Sequence, residues 1–197
     1  DTRANTLFYK GFVPSSVNIG LQGDFAPWVG SMVVDVKQAL LLITDEGKEE
    51  ETVTRLSRVG FDHVLGHLKG GFAAWEAAGK EVDTVHRISA EQFAKEVNIG
   101  VDKIIDIRKE TEYAAEHVAE AHNRPLAYIN EWSKELTTTD HFFLHCAGGY
   151  RSMIAASVLQ ARGYRNFTEI EGGFDTIGKT GLPKTDFICQ SKLMKGQ

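Results

Sequence analysis

The sequence predicts an α/β protein built as two similar halves, each a mostly parallel sheet flanked by helices, with the first half truncated at its N-terminus. Three observations carry this reading. Short apolar runs bounded by turn residues alternate with segments of helical period, the pattern of strands joined by crossover helices. Two stretches about 102 residues apart read alike, the signature of an internal repeat. A length of 197 residues accommodates two small domains.

In the first half, Leu40-Leu41-Leu42-Ile43-Thr44 reads as a strand. A polar helical segment then runs to Val59-Gly60-Phe61, and Leu68-Lys69-Gly70-Gly71-Phe72 closes the unit. The later counterpart runs from Phe142-Phe143-Leu144-His145-Cys146 through a helical segment to Arg162-Gly163-Tyr164, then Ile170-Glu171-Gly172-Gly173-Phe174. Asp1-Thr2-Arg3 matches Asp106-Ile107-Arg108, Val13 and Asn18 match Val118 and Asn123, and Trp28 matches Trp132. The boundary falls near Val85-His86-Arg87, giving domains 1–86 and 87–197.

Beyond the boundary, Ser89 and Gln92 have capping-box spacing and predict a helix from Ala90. Lys103–Ile105, His141–His145 and Asn166–Ile170 are predicted strands. The helix over Arg151–Arg162 is expected to bury Ile154, Val158 and Ala161 on one face, and to end at Gly163 as its C′ glycine. Nothing in the first half answers to the 19 residues Arg87–Ile105. The chain is therefore expected to be a fragment of a longer polypeptide, or to have lost the first strand and helix of its first repeat.

Composition narrows the function. With 42% hydrophobic and 25% charged residues, the chain is expected to fold around a real core. The formal net charge of −5 argues against a partner read through phosphates, so no nucleic-acid binding is expected. No apolar run reaches the ~18–20 residues that cross a bilayer, so no membrane role is expected. The two cysteines, Cys146 and Cys189, are too few for a disulfide framework and fit a reducing compartment, so a cytoplasmic location is expected.

The chemically loaded segment is His145-Cys146-Ala147-Gly148-Gly149-Tyr150-Arg151-Ser152, set between a buried strand and a helix. Cys146 stands at the C-terminal end of its strand, where open α/β sheets place ligands. Gly148 and Gly149 let the backbone curl with positive φ, so that successive N–H groups form an anion-binding nest. Arg151 opens a helix whose positive dipole end faces the same spot. Each feature favours a thiolate over a thiol. A phosphate monoester needs the wider Cys-x5-Arg loop of tyrosine phosphatases, whereas this chain has Cys-x4-Arg. The smaller ring suits a single terminal sulfur.

At this loop the chain resembles the rhodanese family of thiosulfate:acceptor sulfurtransferases, and the resemblance covers both halves. Asp106-Ile107-Arg108, followed by Glu112-Tyr113, is similar to the family's Asp-x-Arg element with its acidic and aromatic pair. His117 to Asn123 resembles the Gly-His-Ile-Pro-Gly-Ala-x-Asn box, with Glu116, Ala119 and Glu120 where that box has glycine, proline and glycine. Glu171-Gly172-Gly173-Phe174 is similar to its closing Gly-Gly-aromatic box.

The resemblance implies that Cys146 takes the outer sulfur of thiosulfate, releases sulfite and passes a persulfide to a thiol or cyanide acceptor. Arg151 then orients the anionic donor. Ala147, Gly148, Gly149 and Tyr150 line the substrate site. Arg108 either reaches the substrate or pairs structurally with Glu112. No cofactor is implied. Two alternatives remain open: a persulfide relay or docking module of a larger metallo-β-lactamase-fold hydrolase or persulfide dioxygenase, whose catalytic domain would lie upstream, and a small-oxyanion reductase or phosphatase.

The first half contrasts. Thr44 aligns with Cys146 and is followed by Asp45-Glu46-Gly47-Lys48-Glu49-Glu50-Glu51, so neither a sulfur carrier nor an anion cradle is expected there. Residues 1–86 carry −4 of the net charge. No histidine grouping has metal-ligand spacing, so no metal is expected. His145 is expected to point to the strand face opposite Cys146. Cys189 is read as non-catalytic, and the Gly70-Gly71 and Gly172-Gly173 pairs as turns.

Overall fold

A computed structural model describes residues 1–188 and divides the chain into two units, Asp1–Val85 and His86–Gln197. The first contains α1 (Asn5–Phe8), α2 (Phe25–Met32), β1 (Leu40–Leu42), α3 (Glu49–Ser57), β2 (Val64–His67) and α4 (Gly71–Ala77). The second contains β3 (Arg87–Ile88), α5 (Ala90–Glu96), β4 (Ile104–Asp106), α6 (Glu110–Ala115), β5 (His122–Asn123) and α7 (Ile129–Trp132). It continues with β6 (Phe142–His145), α8 (Tyr150–Ala161), β7 (Phe167–Ile170) and α9 (Gly173–Ile177).

The second unit's strands pair in parallel in the order β3-β7-β6-β4-β5. Residues of β4, β6 and β7 are all buried, which is why these runs read as continuously apolar rather than alternating. Phe143 packs at 4.9 Å on Phe93 of α5, in a cluster with Ile88, Ile104, Ile170 and Ile177. On the opposite face, Phe142 stacks on Phe167 at 5.4 Å. Each fully buried aromatic of this kind stabilises by about 1.5–3 kcal/mol.

The local signals at the helix ends act as expected. Ser89 accepts a hydrogen bond from the Gln92 N–H at 3.1 Å, and α5 starts at Ala90. Gly163 has φ +90 and closes α8 with the paired bonds of a Schellman motif, Gly163 N–H to Gln160 at 2.9 Å and Tyr164 N–H to Leu159 at 3.0 Å. The expected single apolar face of α8 needs correcting. Every residue from Ser152 to Gln160 is buried, while Ala161 is exposed. A helix covered on all sides carries no amphipathic stripe to read.

The first unit repeats the second in its hydrogen bonds, though not in its sheet. Arg3 bonds Asp1 at 2.7 Å and the Gly11 carbonyl at 3.0 Å, as Arg108 bonds Asp106 at 2.6 Å and the Glu116 carbonyl at 2.8 Å. Asn18 Nδ2 donates to the carbonyls of Asp1 and Arg3, as Asn123 Nδ2 donates to those of Asp106 and Arg108. The Arg3 guanidinium lies 4.2 Å over the Phe72 ring and that of Arg108 lies 4.0 Å over Phe174. The sheet of this unit, however, has two strands, β1 and β2, paired in parallel. Leu41, which aligns with the buried Phe143, is 76% exposed.

The two halves also share a strained turn. Glu120 and Ser15, which occupy matching positions, have φ of +60 and +66. Left-handed backbone costs an L-residue about 1–2 kcal/mol. Part of that gain returns as unfolded-chain entropy when glycine replaces it. Glu120→Gly is therefore expected to stabilise the second unit by ~0.5–1 kcal/mol, read as an upward shift of its denaturant midpoint.

Candidate active site

β6 delivers Cys146 to the C-terminal edge of the sheet, and the chain then turns through Ala147 to Gly149 into α8. The thiol is 1% exposed. The Gly149 N–H donates to Sγ at 3.1 Å, and Sγ–H donates to the Ser152 hydroxyl at 3.5 Å. Gly149 takes φ +94 at the N-cap of α8. Gly148, by contrast, is not among the residues with positive φ, so one left-handed residue rather than two makes the turn.

Behind the loop, α9 explains the closing glycine pair. The Phe174 and Asp175 N–H groups donate to the carbonyls of Cys146 and Ala147 at 2.7 and 3.0 Å. A Cβ at Gly173 would fall 2.4 Å from the Cys146 oxygen, so this glycine permits close backbone approach as well as a turn. In the first unit a Cβ at Gly71 would meet the Thr44 oxygen at 2.9 Å. The same seat thus lies under a residue with no thiol.

The two arginines find different carboxylates. Arg108 pairs with Asp106 and not with Glu112, because at a strand end residues i and i+2 lie on one face and the side chain folds back on its neighbour. Its guanidinium is buried between Asp106, the Glu116 carbonyl and the Phe174 ring. Glu112 instead takes Arg151 in a two-pronged pair, with both contacts at 2.7 Å. This ties the start of α8 to α6. The bond to Arg151 holds the Glu112 carboxyl below its ordinary range.

A carboxyl lowered in the folded state contributes stability that is present above the ordinary carboxylate range and lost as pH falls through the folded value. Acidification to below the ordinary carboxylate range is therefore expected to release Arg151. Glu112→Gln is expected to cost about 1 kcal/mol or less, since the pair is partly solvated. The thermal transition of the variant checks this.

His145 points to the face opposite Cys146, with Nδ1 3.1 Å from the Cys146 carbonyl and Nε2 4.0 Å from Asp106. Burial lowers its pKa. Tyr150 and Ala147 are half-buried and Gly148 is exposed at the loop surface. Cys189 lies outside the described residues. Among the described residues no group of three histidine, cysteine or acidic side chains is arranged to hold a metal ion, and no helix is long and apolar enough to cross a membrane.

Two residues here were not singled out by spacing. Ser152 bonds Sγ, and it also donates to Glu169 at 2.5 Å. Glu169 is fully buried on β7 and accepts from Arg87 Nε at 2.6 Å. The available signal was an acidic residue inside an otherwise buried strand.

Residues 89–180, all within the second unit, match the family model of the rhodanese-like domain. Bacillus subtilis YrkF is 28% identical over 121 residues, covering 59% of this chain and 63% of its own. The thiosulfate sulfurtransferase GlpE of Coxiella burnetii is 29% identical over 73 residues, covering 37% of this chain and 68% of its own. A crystal structure of a rhodanese-related protein from Thermoplasma volcanium aligns with 51% of this chain and 97% of its own, at 27% identity and a TM-score of 0.46. The chain spans about three fifths of the length of YrkF.

Proposed function

We propose that the chain is a sulfurtransferase with one active site, at Cys146, and that the first unit is an inactive copy of the same domain. The observation that carries the reading is the six-residue Cys146–Arg151 loop with its Gly149 N–H on Sγ. The Cys146 thiolate attacks the outer sulfur of thiosulfate and forms a new S–S bond. The old S–S bond breaks and sulfite leaves with its electron pair. An acceptor such as cyanide or a thiol then attacks the outer sulfur of the persulfide, and the thiolate is regenerated.

Charge and geometry support the individual roles. The Gly149 N–H stabilises the anionic sulfur before and after transfer. Arg151, held by Glu112, keeps a positive charge beside the donor. Ala147, Gly148 and Tyr150 form the rim that donor and acceptor pass. The inert reading of the first unit rests on Thr44 in the place of the thiol and on Glu49, Glu50 and Glu51 in the first turn of α3.

Two half-reactions through one carrier require ping-pong kinetics. Initial rates of thiocyanate formation at several fixed cyanide concentrations are expected to give parallel double-reciprocal lines. Intersecting lines, or no thiocyanate, would contradict the reading.

A further inference from the structure

The buried pair on the far side of Ser152 has no part in the chemistry described so far. Sγ–H of Cys146 donates to Ser152 Oγ at 3.5 Å, and the Ser152 hydroxyl donates to Glu169 Oε1 at 2.5 Å. Arg87 holds the other carboxylate oxygen at 2.6 Å. The line from thiol to carboxylate is continuous and already oriented for a proton to move along it. With the thiol 1% exposed and both Ser152 and Glu169 at 0%, the proton on sulfur has no direct exit to bulk water.

We infer that Ser152 and Glu169 form a proton relay that activates Cys146, with Glu169 as the terminal acceptor. The inference rests on the sulfurtransferase reading and adds the route by which the thiol becomes the nucleophile. As the thiol proton passes to Ser152 Oγ, the serine's own proton passes to Glu169 Oε1. The sulfur keeps its electron pair and gains a negative charge, which the Gly149 N–H stabilises. Glu169 loses its charge, so the total is unchanged. When the persulfide is consumed, the reverse transfer restores the thiol.

The electrostatics fit an acceptor that works near neutrality. Burial pushes the Glu169 carboxyl up to about 7, against the pull of Arg87 and Ser152, and Glu171 two residues along the strand adds to the rise. The charged groups acting on it are thus Arg87 from β3 and Glu171 from β7. From β6 its register partner is Leu144, and α8 presents Ser152. A general base performs best when its pKa lies close to the working pH.

The test reads thiol reactivity without any sulfur donor. Full-length protein is labelled with iodoacetamide from pH 5.5 to 9, and the Cys146 peptide is quantified by mass spectrometry. The wild-type rate is expected to rise with pH as Glu169 loses its own proton and becomes able to accept that of the thiol. Ser152→Ala and Glu169→Gln are each expected to lower the rate at pH 7 about tenfold and to move the profile to higher pH, which loss of packing alone would not do. Should Glu169→Gln fail to fold with Arg87 left uncompensated, Glu169→Gln combined with Arg87→Met removes both charges of the pair.

Profiles that superimpose on wild type overturn the relay. So does a shift in Ser152→Ala with none in the Glu169 variant, because Glu169 would then not be the acceptor. An intact shift in a protein that forms no thiocyanate would instead sink the sulfurtransferase reading and leave the relay standing.

Discussion

Cys146→Ser is expected to reduce thiosulfate-dependent thiocyanate formation by roughly a thousandfold or more while leaving the protein folded. A sulfane sulfur is carried on sulfur, and a serine hydroxyl neither ionises near neutrality nor forms the S–S bond that the persulfide requires. The substitution is small in volume, and the hydroxyl can still accept from the Gly149 N–H that now reaches Sγ at 3.1 Å. Stability is expected to change by no more than about 1 kcal/mol. Comparing thiocyanate formation with the thermal transition of the two proteins checks both halves of the statement. Retained activity would move the chemistry away from this loop.

Gly173→Ala is expected to have the second largest effect, and it acts on structure first. The residue has φ +53, and its new Cβ would lie 2.4 Å from the Cys146 oxygen and 2.5 Å from the Ala147 oxygen. Both atoms are backbone and cannot swing aside. To relieve the overlap α9 must withdraw, breaking the bonds that Phe174 and Asp175 donate to those carbonyls. We expect a loss of about 2–4 kcal/mol, a fall of roughly 10 °C or more in the second unit's thermal midpoint. Sulfur transfer should fall with it even below the transition, because the displaced carbonyls belong to the residues that position Sγ. An unchanged midpoint would show that α9 does not press on the loop.

The architecture of the second unit was largely legible because its signals are local. Ser89 caps α5, Gly163 closes α8, and the apolar runs that became β4, β6 and β7 lie within a residue of their expected bounds. Across the sheet, spacing loses its hold. Arg108 and Arg151 were both candidates near the substrate, yet Glu112 belongs to Arg151, a partner 39 residues away that only the fold brings near. Glu169 and Ser152 meet from β7 and α8, 17 residues apart. In the sequence neither stands at a distance from Cys146 that marks a proton path. The face assigned to α8 failed for a physical reason: a helix buried on every side offers no periodic contrast.

The likeness of the two halves was visible at Asp1, Arg3 and Asn18 because these residues are bonded together: the Asp1 carboxylate accepts from Arg3, and Asn18 donates to the carbonyls of both. Their bonds repeat those of Asp106, Arg108 and Asn123. What that likeness could not convey is the size of each sheet: among the described residues the first unit has two strands and the second five.

The central claim, a persulfide carried on Cys146, is tested most directly by mass spectrometry. The protein is treated with excess thiosulfate, freed of small molecules without a reducing agent and digested. One added sulfur atom on the peptide carrying Cys146, lost again on exposure to cyanide, is the expected result. An unmodified Cys146 peptide, or sulfur found on the peptide carrying Cys189 instead, would contradict the account.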